Sequence, residues 1–121
     1  MFDPAVSVVD GEEALRRGLP RYALDRFSEV VEMPEVDREL CRRAHRGLAG
    51  VYRMLGEGER GIASEYLNVA SQLPESARHL QDLGMTPGEI AHGFETVAWV
   101  FTEAARQQGE LAAYCLEEAQ R

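Results

Sequence analysis

Three short stretches carry residue types at spacings that chemistry uses. In G-E-G-E-R-G, residues 56–61, the glycines Gly56, Gly58 and Gly61 fit G-x-G-x-x-G. That is the spacing of a loop whose backbone N–H groups cradle a pyrophosphate at a helix start. Glu89 and His92 form E-x-x-H, which on a helix puts both side chains on nearby faces, as in carboxylate-bridged di-iron bundles. Cys41 and His45 stand four apart, a metal-ligand spacing. The surroundings weaken each one. A dinucleotide loop follows a buried strand, whereas the segment before Gly56, RELCRRAHRGLAGVYRML, has helical period, and Glu57 and Glu59 would crowd a pyrophosphate with negative charge. Glu75 stands about 20 residues on, where the fingerprint wants an acid, but an acid at one position means little among 21 Asp and Glu. A di-iron site needs a second E-x-x-H, which the chain lacks. Cys41 and His45 have no second pair and lie at the edge of an apolar stripe, where packing is a sufficient role. No G-x-S-x-G or comparable nucleophile–base motif is present. The expectation is a protein that is not an enzyme, with no catalytic residue, no cofactor and no metal.

The bulk numbers narrow the partner. The chain has 121 residues and a net charge of −8, so it can bury a core of its own. The acidic balance disfavours nucleic acid or an anionic membrane, both of which need a broad basic surface. Cys41 and Cys115 lie far apart in sequence, as reduced thiols of a cytoplasmic protein do. The first residues, MFDPAVSVVDGEEALRR, show no signal peptide, and no apolar run reaches membrane-spanning length. Arginine supplies all 13 basic residues and lysine none, a bias expected of a GC-rich, bacterial genome.

The elements that would position these residues are helices. PRYALDRFSEVVEM, RELCRRAHRGLAGVYRML and GIASEYLNVASQL all place apolar residues at spacings of three and four. Thr86-Pro87-Gly88-Glu89 is a helix start, with Thr86 as N-cap, Pro87 in the first turn and Glu89 closing a capping box. Gly18, Gly56, Gly84 and Gly109 each follow a periodic segment, as C-terminal cap glycines do. The spacing predicts helices near 4–17, 20–32, 37–55, 59–73, 75–83, 87–107 and 110–120. Asp10-Gly11 could start the first one late. Short connections then give three antiparallel hairpins, 4–32, 37–73 and 87–120, bent at Gly18, Gly56 and Gly109, within a single domain 1–121.

Two resemblances follow. Leu48, Ala49, Tyr52, Leu55-Gly56, Ala63, Leu67, Ala70 and Pro74 follow the order of a tetratricopeptide repeat, and Gly18, Tyr22, Ala23, Phe27, Val30 and Pro34 partly repeat it. The chain thus resembles the tetratricopeptide family over about two hairpins. The bends lie 38 and 53 residues apart, longer than that family's period of about 34. The resemblance implies an all-α, right-handed superhelix of stacked hairpins that binds peptides or protein segments. Residues 83–106 also resemble a helix-turn-helix of the sigma-factor or LuxR kind. Too few residues separate E-I-A from T-V for a turn, and the segment carries Glu89, Glu95 and Glu103 against Arg106; a recognition helix is basic or neutral.

Residues 38–53 hold Arg38, Arg42, Arg43, Arg46 and Arg53 against Glu39 alone, a local +4. At about 100° per residue, Arg38, Arg42, Arg46 and Arg53 share one face. They are a solvated strip paired with glutamates, or a docking strip for an acidic protein or peptide. On helix 87–107, Trp99 falls opposite Phe101, among charged residues, as a contact anchor or as the second face of a sandwiched helix. The expected function is a non-enzymatic protein–protein interaction module, an adaptor or scaffold, with Arg38, Arg42, Arg46, Arg53 and Trp99 as partner-binding residues. The alternatives are a small regulatory or sensory domain that self-associates as a homo-oligomer through residues 87–121, then a DNA-binding regulator or a metal-binding bundle.

Overall fold

The computed structural model describes residues 2–72 and 78–121. The fold is all-α: α1 Pro4–Arg16, α2 Pro20–Val31, α3 Arg38–Gln72, α4 Arg78–Asp82 and α5 Pro87–Ala119. No strand occurs among the described residues, and no helix of theirs is long and apolar enough to cross a membrane. The chain forms two compact units, Met1–Gly56 with Gln107–Arg121, and Glu57–Arg106.

Local capping decides several ends. Asp3 caps α1, its carboxylate accepting from the Ala5 N–H. Gly18 takes φ +74° between α1 and α2, and Gly84 takes φ +97° after α4, a left-handed turn that glycine adopts without steric cost. At α5 the Glu89 N–H donates to the Thr86 hydroxyl at 3.2 Å and the Thr86 N–H to the Glu89 carboxylate at 3.4 Å, completing the capping box.

Two expected bends do not exist. Gly56 and Gly58 lie inside α3, and Gly109 lies inside α5. Residues 37–73 and 87–120 are therefore not hairpins, and helices 37–55 and 59–73 merge, as do 87–107 and 110–120. Residue 73 and the start of the expected helix 75–83 lie outside the described residues. A turn resets the phase of an apolar pattern, and here the phase runs through. On α3 the buried residues Ala49, Gly56, Ala63 and Ala70 recur every seven, with Tyr52, Glu59 and Tyr66 between them. On α5 Ala98, Ala105, Ala112 and Ala119 do the same and are buried, with Phe101, Gln108 and Cys115 between them and Phe94 before them. Small residues at every seventh position are the pattern that lets a second helix approach closely. Gly56 occupies such a small-residue position.

In the first unit the start of α3 meets the end of α5. Arg38 and Arg42 donate to the backbone oxygen of Arg121 at 2.9 and 3.2 Å. Further along, burial pushes the Tyr52 hydroxyl up from its ordinary pKa, and neighbouring Cys115 adds to it. The α1–α2 hairpin covers α3 through Phe27, which is fully buried. A Cβ on Gly11 of α1 would lie 2.7 Å from the Phe27 ring, and one on Gly47 of α3 only 2.2 Å from it. Gly11 is thus interior helix that makes room for the ring, not a late start of α1. Across α1 and α2, buried Ser7 donates to Glu29, and Arg26 joins Glu29 to Asp10. Arg43 of α3 pairs with Glu12 of α1 at 2.6 Å.

The glycines separate by environment. Replacing a helical glycine by alanine ordinarily adds up to about 1 kcal/mol. At Gly58 and Gly61 a Cβ would meet nothing within 4 Å, so Gly58→Ala and Gly61→Ala should raise the melting temperature. At Gly47 the added Cβ overpacks the core, and Gly47→Ala should destabilise by about 1–3 kcal/mol. Thermal melts of the three variants check the opposite signs.

Candidate functional site

The chemistry-bearing spacings each have a structural occupation. Glu89 accepts from both the hydroxyl and the N–H of Thr86, so E-x-x-H is a cap followed by an exposed histidine. At Cys41 and His45 the imidazole Nδ1 sits 3.0 Å from the Cys41 carbonyl and 3.7 Å from its sulfur. The shorter contact needs Nδ1 to carry the proton, which leaves that nitrogen unable to accept one from the thiol. No group of three or more potential metal ligands occurs among the described residues. The segment that resembles a helix-turn-helix is one uninterrupted helix from Pro87.

The arginine strip lies in the first unit and is largely engaged. Arg38 and Arg42 hold the Arg121 carbonyl. Arg42 and Arg46 pair with Glu39 at 3.8 and 3.1 Å. Arg53 is exposed and has no hydrogen-bond or ion-pair partner among the described residues. Exposed pairs of this kind are worth roughly 0–1 kcal/mol each, so the strip retains positive potential but little unpaired charge. A second depression in this unit, about 390 Å³, is lined by Asp10, Glu13, Leu19 and Tyr22 among others. Its charges are answered internally: hydrogen bonds from Arg16 and Arg17 hold the Glu13 carboxyl below its ordinary value, and Arg26 pairs with Asp10.

The second unit is different. Among its described residues the buried apolar ones are Ala63, Ala70, Ala98, Ala105 and Ile90. Only Ile90 is larger than alanine. The large apolar side chains stay at or near the surface, including Ile62 at 38%, Val97 at 37% and Trp99 at 64% exposure. Tyr66 of α3 lies 6.1 Å from both Phe94 and Phe101 of α5, stacked on the latter. Tyr66 and Phe94 line both of two adjoining depressions. One, about 200 Å³, is lined by Tyr66, Leu80, Met85, Ile90, Phe94 and Val97. The other, about 250 Å³, is lined by Ile62, Glu65, Tyr66, Val69 and Phe94. Together they make an apolar groove with one acid on its rim.

Trp99 stands on another side of α5, over a shallow depression with His92, Glu95 and Thr96. α5 runs unbroken through Gly109, so there is no separate helix 110–120. The strip and Trp99 belong to different units. The groove residues Tyr66, Phe94, Ile62 and Val97 are apolar stripe residues that look like ordinary core. A signal for them was present: once the alanine heptads are set aside, Ile62, Val69 and Val97 remain as apolar positions outside them.

Compared with protein-family models, with curated proteins and with solved structures, the chain matches none.

The two thiols differ in environment. Burial, and then Glu118, pushes the Cys115 thiol up from its ordinary pKa, while Cys41 is only half-buried. The thiolate is the reactive form. Alkylation of the folded protein should therefore modify Cys41 first and reach Cys115 only on unfolding, as mass spectrometry of a time course would show. Equal rates would contradict the packing of Cys115.

Proposed function

We propose that this chain is a non-enzymatic protein–protein interaction module, an adaptor that presents a surface to another protein in the cytoplasm. The open apolar groove of the second unit carries this reading. A unit of fifty residues that buries mostly alanines and leaves Ile62, Met85, Val97 and Val100 exposed displays an apolar patch of the kind that marks interaction sites. The two free cysteines agree with a reducing compartment. The resemblance to tetratricopeptide repeats adds support at α1–α2, where Gly18 makes the turn. Arg38, Arg42, Arg46 and Arg53 are a secondary contact for acidic groups, with Arg53 the most available.

A second reading, self-association through α5, draws on its exposed Trp99, Leu111, Tyr114 and Leu116. The two are separable. With a photo-crosslinking residue at Val97, the adaptor reading expects a discrete heterologous product in cells of the source organism, and a control at exposed Asp25 expects none. In the purified chain, Trp99 emission should lie near that of free tryptophan and stay there across a dilution series. Emission that shifts red on dilution, with a falling sedimentation coefficient, would favour self-association and count against the adaptor.

A further inference from the structure

Resting on the interaction-module reading, we propose that the groove of the second unit receives a basic amphipathic helix from the protein partner.

Continuity with an interface already made in this fold points to a helix. On α3, Leu48, Leu55, Ile62 and Val69 form one row, seven residues apart. The first half of that row packs in the core with α1 and α2: Leu48 is buried and Leu55 half-buried. The second half, Ile62 and Val69, lines the open groove. The occupant of the first half includes α2, which seats itself by Ala23, Phe27 and Val30 at i, i+4 and i+7. Residues 57–72 of α3 offer about 24 Å of helix axis, room for about four turns of a partner that uses the same anchor spacing. The two depressions meet at Tyr66 and Phe94, and each has the volume for a large side chain.

Charge decides what kind of helix. Glu65 is the only charged group among the described residues lining the two depressions. Residues 57–106 hold eight Asp and Glu against three Arg, which gives −5 with histidine neutral. A second copy of the chain would bring the same −5 and its own Glu65 to the face, and like charges at an interface cost affinity. A helix with lysine or arginine flanking its apolar row meets Glu65 and the surrounding acidic field with opposite sign.

The test uses the full chain and two labelled, designed peptides of about 18 residues. Both carry leucine at i, i+4, i+7 and i+11. One has lysines on its polar face and the other glutamates. Fluorescence anisotropy should show the lysine peptide binding at least about tenfold more tightly than its twin, with the gap shrinking as salt is added. Glu65→Lys should weaken the lysine peptide several-fold and Val97→Asp should abolish its binding, with circular dichroism confirming that both variants fold. If the twins bind alike and Val97→Asp abolishes both, the basic class is wrong while the interaction module stands. If neither variant changes the lysine peptide's affinity, the peptide sits elsewhere and the proposal fails. A dimer in sedimentation that Val97→Asp dissociates puts a second copy on the face and overturns it. A monomer that binds neither peptide removes both this proposal and the functional reading beneath it.

Discussion

The Phe27 ring, held between two glycines on two different helices, is the contact on which the first unit depends. Gly11 of α1 and Gly47 of α3 lie so close to it that neither position can carry a Cβ without displacing aromatic carbons. Removing a buried phenylalanine costs about 3–5 kcal/mol, and the ring belongs to one core cluster with Val8, Ala23, Val30, Ala44, Leu48 and Val51. The close approach of backbone to ring also brings Arg43 to Glu12 and Arg26 to Asp10 and Glu29. Polar contacts follow the packing here, since partly exposed pairs contribute little on their own.

A different rule governs α3 and α5. Each carries buried small residues at intervals of seven, with tyrosine, phenylalanine and polar residues between. Small side chains let two helices come close, and close helices leave little volume for a hydrophobic core. In the first unit α1 and α2 supply the missing volume with Phe27, Val8 and Val30. In the second unit the one further helix among the described residues is the short α4. The aromatic residues Tyr66, Phe94 and Phe101 then stack on one another and remain half-exposed. The open groove follows from that construction: the described residues of the unit bury little beyond alanine and leave an apolar face exposed.

Electrostatics sort the two candidate contact regions. The arginine strip is basic in sequence, but Glu39 and the Arg121 carbonyl absorb much of it. The groove has Glu65 as the one charged group among its described lining residues, in a segment, residues 57–106, whose net charge is −5. Apolar burial supplies most of the binding free energy at such a face, and charge at the rim selects the partner and speeds the encounter.

Much of the fold is legible in the order of residues alone. Helix content, the Gly18 and Gly84 turns and the Thr86–Glu89 box depend on interactions within a few residues, which composition and spacing encode directly, and the spacing of Ala23, Phe27 and Val30 marks the face of α2 that tertiary packing buries. The glycines at 56 and 109 are where that reading fails. A glycine after an apolar segment can end a helix or let a second helix approach, and the local chain is the same in both cases. At Gly56, which is buried within α3, tertiary packing decides between them; Gly109 is exposed within α5, and a Cβ there would meet nothing within 4 Å, so close approach does not explain it. The same holds for the arginines, whose partners Glu12 and Arg121 are distant in sequence, and for Trp99, whose exposure depends on whether α5 turns back. Tertiary structure settled these points because each concerns what lies opposite a residue, and no single helix carries that information.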